Sequence, residues 1–71
     1  MELHQLRSFL AVARTGQLVR ASEQLHLTQS ALSKQIKSFE DELGVLLFTR
    51  TPAGMLLSSA GRRLLPLAVR T

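Results

Sequence analysis

Ala21-Ser22-Glu23-Gln24-Leu25-His26-Leu27-Thr28-Gln29-Ser30-Ala31-Leu32-Ser33-Lys34-Gln35-Ile36 contains two helical patterns joined by a very short connection. Leu18, Ala21 and Leu25 give the first pattern one apolar face, predicting a short helix from about Leu18 to Leu25. Ala21 is small, so another helix can cross it closely. Gln17 is a poor N-cap, and this start is weakly specified. His26, Leu27 and Thr28 make the connection. Thr28 is a good N-cap, because its hydroxyl can accept from an orphan N–H of the next first turn. That next helix is predicted from Thr28 to Leu43, with Gly44 at the C′ position. Its apolar stripe is Leu32, Ile36, Phe39 and Leu43, at steps of four, three and four.

Outward from this pair the pattern stays regular. Upstream, Leu3, Leu6, Leu10 and Ala13, with Phe9 beside them, form one helical stripe, which Thr15-Gly16 ends. Downstream, Val45-Leu46-Leu47-Phe48-Thr49-Arg50 reads as a strand. Thr51-Pro52-Ala53-Gly54 is turn chemistry, and Met55-Leu56-Leu57 returns as a second strand. Ser58 or Ser59 can cap a last helix from Ala60 onward, which Pro66 is expected to kink or break. Ala60, Leu64, Leu67 and Ala68 form one stripe of that helix, and Leu65 and Val69 another. The order helix, helix, helix, hairpin, helix predicts a mainly α fold. That order fits a winged helix-turn-helix of three helices and a β-hairpin wing, followed by the start of a further helix.

A chain of 71 residues buries only about 60% of the surface it exposes when unfolded, so the core must be small. With 45% hydrophobic residues it is not a disordered chain, and without cysteine it has neither a disulfide framework nor thiolate metal sites. No run of 18 apolar residues occurs, and the start of the chain lacks a signal-peptide layout, so a cytoplasmic protein is expected. The formal charge is +4, which favours nucleic acid, acidic surfaces and anionic membranes as partners. Residues 1–44 carry five basic and five acidic side chains, so the excess comes from Arg50, Arg62, Arg63 and Arg70.

At about 100° per residue, Ser30, Ser33, Lys34 and Lys37 fall opposite the apolar stripe of the third helix, while Gln29 projects from its tip. Asp41 shares that arc near the far end. Glu40, Asp41 and Glu42 crowd the C-terminal end, where acids oppose the helix dipole. The order suits a helix whose N-terminal part meets phosphates while its acidic end points to solvent. Such a face on an isolated helix is ordinarily no more than a solvated surface. The short helix before it, the three-residue turn and the basic hairpin after it favour a DNA-reading helix instead. The competing reading is a winged-helix module that binds protein and never touches DNA.

The chain resembles the N-terminal domain of LysR-type transcriptional regulators. The resemblance rests on Leu6 to Ala13, on the quoted stretch, on Glu40 to Gly44, on Leu47-Phe48-Thr49-Arg50, and on Ser58-Ser59-Ala60-Gly61. It implies a DNA-binding domain over residues 1–57 and, over 58–71, the start of a linker helix that dimerises, with an effector domain absent from this chain. It further implies bacterial regulation of transcription by a dimer on an interrupted palindrome. A higher oligomer of the full-length protein is expected, with RNA polymerase a further candidate partner. Residue by residue, Gln29 matches a base-reading position, Ser30 stands where proline is common, and Ser33 matches a hydroxyl position. Lys34 stands where arginine is common, and Arg50 matches an arginine before the wing tip. Thr51 completes the expected DNA-binding set. Ala53 departs from the pattern, since many members carry a basic wing-tip residue that enters the minor groove.

His4 and His26 are isolated imidazoles, and a structural hydrogen bond is the expected role of His26. No carboxylate pair, phosphate-cradling loop or nucleophile-base spacing occurs, so neither catalysis, a cofactor nor a metal is expected.

Overall fold

A computed structural model of the chain describes residues 2–70. The elements run α1 (Leu3–Thr15), α2 (Leu18–Leu25), α3 (Gln29–Leu43), β1 (Phe48–Thr51), β2 (Gly54–Leu57) and α4 (Ser59–Val69). The predicted winged helix-turn-helix, with its further helix, is the architecture found.

Three of the four helix starts have a local cap. Glu2 and Gln5 form a reciprocal capping box at α1. Thr28 Oγ1 accepts from Ala31 N–H at 3.1 Å, and Ser58 Oγ accepts from Gly61 N–H at 3.0 Å. Gln17 makes no side-chain cap bond at α2. The turn between α2 and α3 is closed by His26 in the left-handed region, φ 56°, and by Leu27 N–H donating to Ser22 O at 2.9 Å. Ala21 is fully buried, as a close helix crossing requires.

All three phenylalanines meet in the core. Phe9 of α1 packs edge-on to Phe39 of α3 at 6.3 Å and against Phe48 of β1 at 5.4 Å between ring centroids. Val12, Leu32 and Leu47 are the largest fully buried aliphatic side chains beside them. Ser8 of α1 donates a hydrogen bond to Gln35 of α3, adding a polar link between the two helices.

Five expectations need correction. The first strand begins at Phe48, not Val45. Gly44 leaves α3 in the left-handed conformation, and the N–H groups of Gly44 and Val45 are both spent on Glu40 O, at 2.8 and 3.3 Å. Val45 and Leu46 are therefore cap and connector, and both are exposed. The second strand begins at Gly54, which pairs with Thr51 and leaves only Pro52 and Ala53 at the wing tip. Leu43 lies on the solvent side of α3, because the core at that end is filled by Leu47 and Phe48. In α4, Ala60, Leu64, Leu65 and Ala68 face inward while Leu67 and Val69 are exposed, so Leu65 and Leu67 exchange their expected faces. Pro66 does not break α4: the carbonyl it deprives of a partner is that of Arg62, on the exposed side where water can satisfy it.

The hairpin is antiparallel, with Arg50 opposite Met55. It is seated on the helices at two glycines. Met55 N–H donates to Gly16 O at 2.8 Å, and a Cβ on Gly54 would come within 2.4 Å of that same oxygen. A Cβ on Gly61 would come within 2.3 Å of Leu47 O, so the first turn of α4 lies directly on the chain entering β1.

Candidate nucleic-acid interface

Burial of Leu32, Ile36 and Phe39 turns the opposite side of α3 outward. Two rows result. Gln29, Ser33 and Lys37 follow each other at steps of four and border the wing, and Ser30 and Lys34 lie one row further out. Ser33 is half-buried; the other four are exposed.

The structure brings the inner row and the wing together. Ser33, Lys37 and Glu40 of α3 share a cleft of about 260 Å³ with Arg50 of β1 and Met55 of β2. Gln29 lies across an adjoining open concavity from Arg50 and the wing tip, with the start of α2 as its floor. Gln29, Ser33, Lys37 and Arg50 therefore surround one continuous groove. Ser30 and Lys34 do not line it and stay exposed on the outer side of α3.

Two of the expected residues already have local partners. Thr51 Oγ1 donates to Gly54 O at 2.9 Å, closing the wing turn. Lys37 Nζ lies 3.8 Å from Asp41 Oδ1, with both side chains more than two-thirds exposed. An exposed pair of this kind contributes about 0.5 kcal/mol, too little to hold Lys37 against a phosphate.

The acidic end of α3 does not all point away. Glu40 is half-buried, and its Oε2 accepts from Leu47 N–H at 2.7 Å and Phe48 N–H at 3.3 Å. Sequence reasoning missed this residue. The signal was spacing: Glu40 lies eleven residues after Gln29, about three helical turns, and so on the wing-facing row.

The wing tip is exposed Pro52 and Ala53 and carries no cation. Arg50 is exposed two residues before it. His26 is exposed, and its backbone N–H rather than its ring closes the turn, donating to Glu23 O at 3.2 Å. Among the described residues, no group of three potential metal ligands occurs, and no helix is long and apolar enough to cross a membrane.

Comparison with known proteins gives a consistent picture. The family described as bacterial regulatory helix-turn-helix protein, lysR family, matches residues 3–62. The chain is 50% identical over 70 residues to an HTH-type transcriptional regulator encoded in the ibpB-leuC intergenic region of Azotobacter vinelandii, covering 99% of this chain and 49% of that protein. It is 48% identical over 68 residues to the HTH-type transcriptional regulator HdfR of Escherichia coli, covering 96% of this chain and 24% of HdfR. The chain thus spans half or less of the length of these relatives. The crystal structure of a CbnR DBD–DNA complex superimposes with a TM-score of 0.94 at 38% identity, covering 99% of this chain and 80% of that one.

Proposed function

The chain belongs to the lysR family of bacterial regulatory helix-turn-helix proteins, and from that premise we propose that it binds double-stranded DNA, with α3 in the major groove, to regulate transcription. The observation that carries this reading is the groove in which Gln29, Ser33 and Lys37 of α3 meet Arg50 of the wing.

Each side chain has a role suited to its chemistry. Gln29, at the first position of α3, can bond one adenine edge through both its amide atoms. Ser33 and Ser30 offer short hydroxyls to base edges or phosphates. Lys34 and Lys37 are flexible point charges suited to phosphates, and they lack the planar fork of arginine. Arg50, fixed on a strand, meets a phosphate across the groove. Thr51 follows it on the same strand, with its hydroxyl proton given to Gly54, so any phosphate contact there falls to its backbone. With Pro52 and Ala53 at the tip, the wing contributes position and the Arg50 charge rather than a minor-groove cation.

In this reading the DNA-binding domain spans residues 1–57 and the linker that joins two copies starts at residue 58, with α4. The exposed Leu67 and Val69 fit the second role, since they face away from the domain's own core. Two copies reading an interrupted palindrome, with a larger assembly of a longer protein and RNA polymerase as partner, extend the same reading.

Selection of bound sites from random duplexes tests it, because it reports binding, half-site spacing and base preference together. Lys37→Ala is expected to weaken binding to every sequence and to flatten the salt dependence by about one unit of slope. Gln29→Ala is expected to relax base preference at one position, by about 1–3 kcal/mol. Unchanged specific and nonspecific affinity in both variants excludes α3 as the reader.

A further inference from the structure

An acid on the groove-facing row of a phosphate-binding helix works against binding, since it lowers the potential that phosphates meet. Glu40 stands there nonetheless, beside Lys37 and across from Arg50. Its carboxylate holds the two N–H groups that lead into the wing, Leu47 at 2.7 Å and Phe48 at 3.3 Å. Phe48 opens β1, and Arg50 follows two residues later.

A two-stranded ribbon is marginal on its own. The side chains of Val45 and Leu46, the connector from α3, are exposed, and α4 holds this segment by its backbone only, through Ser58 bonds to Leu46 O at 2.6 Å and Leu47 O at 2.9 Å. The opposite strand is fastened at Met55, the register partner of Arg50, whose N–H donates to Gly16 O at 2.8 Å. Arg50 is therefore carried by a ribbon tied to α3 on one strand and to the α1–α2 turn on the other. Leu47 and Phe48 seat the root of β1 on the core and Ser58 bonds it to α4, while Glu40 bonds it to α3; without Glu40 the spacing between α3 and β1, and so the place of Arg50, loses its hydrogen-bonded reference. Hydrogen bonds to an ionised acceptor are about twice as strong as neutral ones, which suits a carboxylate to this task.

We infer that Glu40 is a positioning residue for DNA recognition: it sets the distance between the Gln29–Ser33–Lys37 row and Arg50, so that base and phosphate contacts fall in register. This rests on the DNA-binding reading above.

The test compares Glu40→Gln, Glu40→Ala and Glu40→Asp on a selected duplex and on a random-sequence duplex of the same length and salt. Glutamine and alanine both remove the charge, but only glutamine keeps an acceptor of the right reach. Both variants are expected to bind the random duplex tighter than wild type, by the same few-fold factor. On the selected duplex, Glu40→Ala is expected to bind about tenfold more weakly than Glu40→Gln. Aspartate keeps the charge, so the variant folds without the loss of a buried acceptor, but it falls one methylene short. It is expected to lose discrimination without gaining random-duplex affinity. Equal selected-to-random ratios for Glu40→Gln and Glu40→Ala, or a wild-type ratio for Glu40→Asp, overturn the inference. Failure of the wild type to bind any duplex instead refutes the reading beneath it.

Discussion

Gly61→Ala is expected to destabilise the domain, although alanine is the better helix former by about 1 kcal/mol in a helix interior. The added Cβ would lie 2.3 Å from Leu47 O and 2.9 Å from Leu57 Cδ2. Ordinary contact requires about 1 Å more at the oxygen, and a backbone carbonyl cannot rotate away as a side-chain end can. The first turn of α4 must therefore lift. Lifting it by that amount stretches two bonds beyond useful length: Ser58 N–H to Leu47 O, now 2.9 Å, and Ser58 Oγ to Leu46 O, now 2.6 Å. Overpacking costs about 1–3 kcal/mol and each lost bond about 1 kcal/mol. After the gain in helix propensity, the net loss is about 3 kcal/mol. Urea unfolding followed by far-ultraviolet circular dichroism measures it, as a lower midpoint at unchanged slope. Gly44→Ala is the control. Its φ is 74° and nothing lies within 4 Å of an added Cβ, so only the left-handed cost of about 1 kcal/mol applies. If Gly61→Ala costs no more than Gly44→Ala, the seat of α4 on the wing yields freely and the reasoning fails.

Phe39→Ala removes the ring that Phe9 meets edge-on at the fully buried centre, and a loss of about 3–5 kcal/mol is expected, visible as a largely unfolded chain by circular dichroism at 37 °C. His26→Gly relieves a left-handed non-glycine residue; with the entropy cost of glycine set against that relief, a thermal melt is expected to show a gain of about 0.5–1 kcal/mol. Asp41→Asn leaves stability within about 0.5 kcal/mol, because the pair with Lys37 is exposed, yet it is expected to raise affinity for all duplexes several-fold in a fluorescence anisotropy titration.

The helices were legible because local signals agreed. Thr28 before a four-three-four apolar stripe and Gly44 after it mark α3 with no knowledge of its neighbours. The same holds for Ser58. The capping box of α1, Glu2 with Gln5, was not read from the sequence, because an acid at that position reads equally as a solvated charge. The start of β1 was not legible. Val45-Leu46-Leu47-Phe48 is an unbroken apolar run, and periodicity cannot tell a connector from a strand within it. The helix cap that consumes the Val45 N–H decides the matter. The exchanged faces of Leu65 and Leu67 have a similar origin, since neighbouring leucines on a short helix define two stripes that only the rest of the fold can rank. At the candidate site, Gln29, Ser33 and Lys37 could be found from their spacing, and Arg50 from the charge balance of the hairpin. The roles of Glu40 and Gly16 could not. Both act through backbone groups, Glu40 on N–H groups seven and eight residues away and Gly16 on that of Met55, and no side-chain pattern reports such partners.

The seat of Gly61 against Leu47 also makes α4 a mechanical part. Its first turn is keyed into the segment that becomes β1, with no slack between them. Eleven residues give an arm of about 16 Å, so a tilt of about 10° at the keyed end carries the far end through about 3 Å. Ala68, near that far end, is buried in the core with Leu64 and Leu65 packed beside it, so any such tilt is shared between the aromatic centre and the strand bearing Arg50. The last helix is thus less a tether than a strut, seated at one end on the wing and along its length on the core.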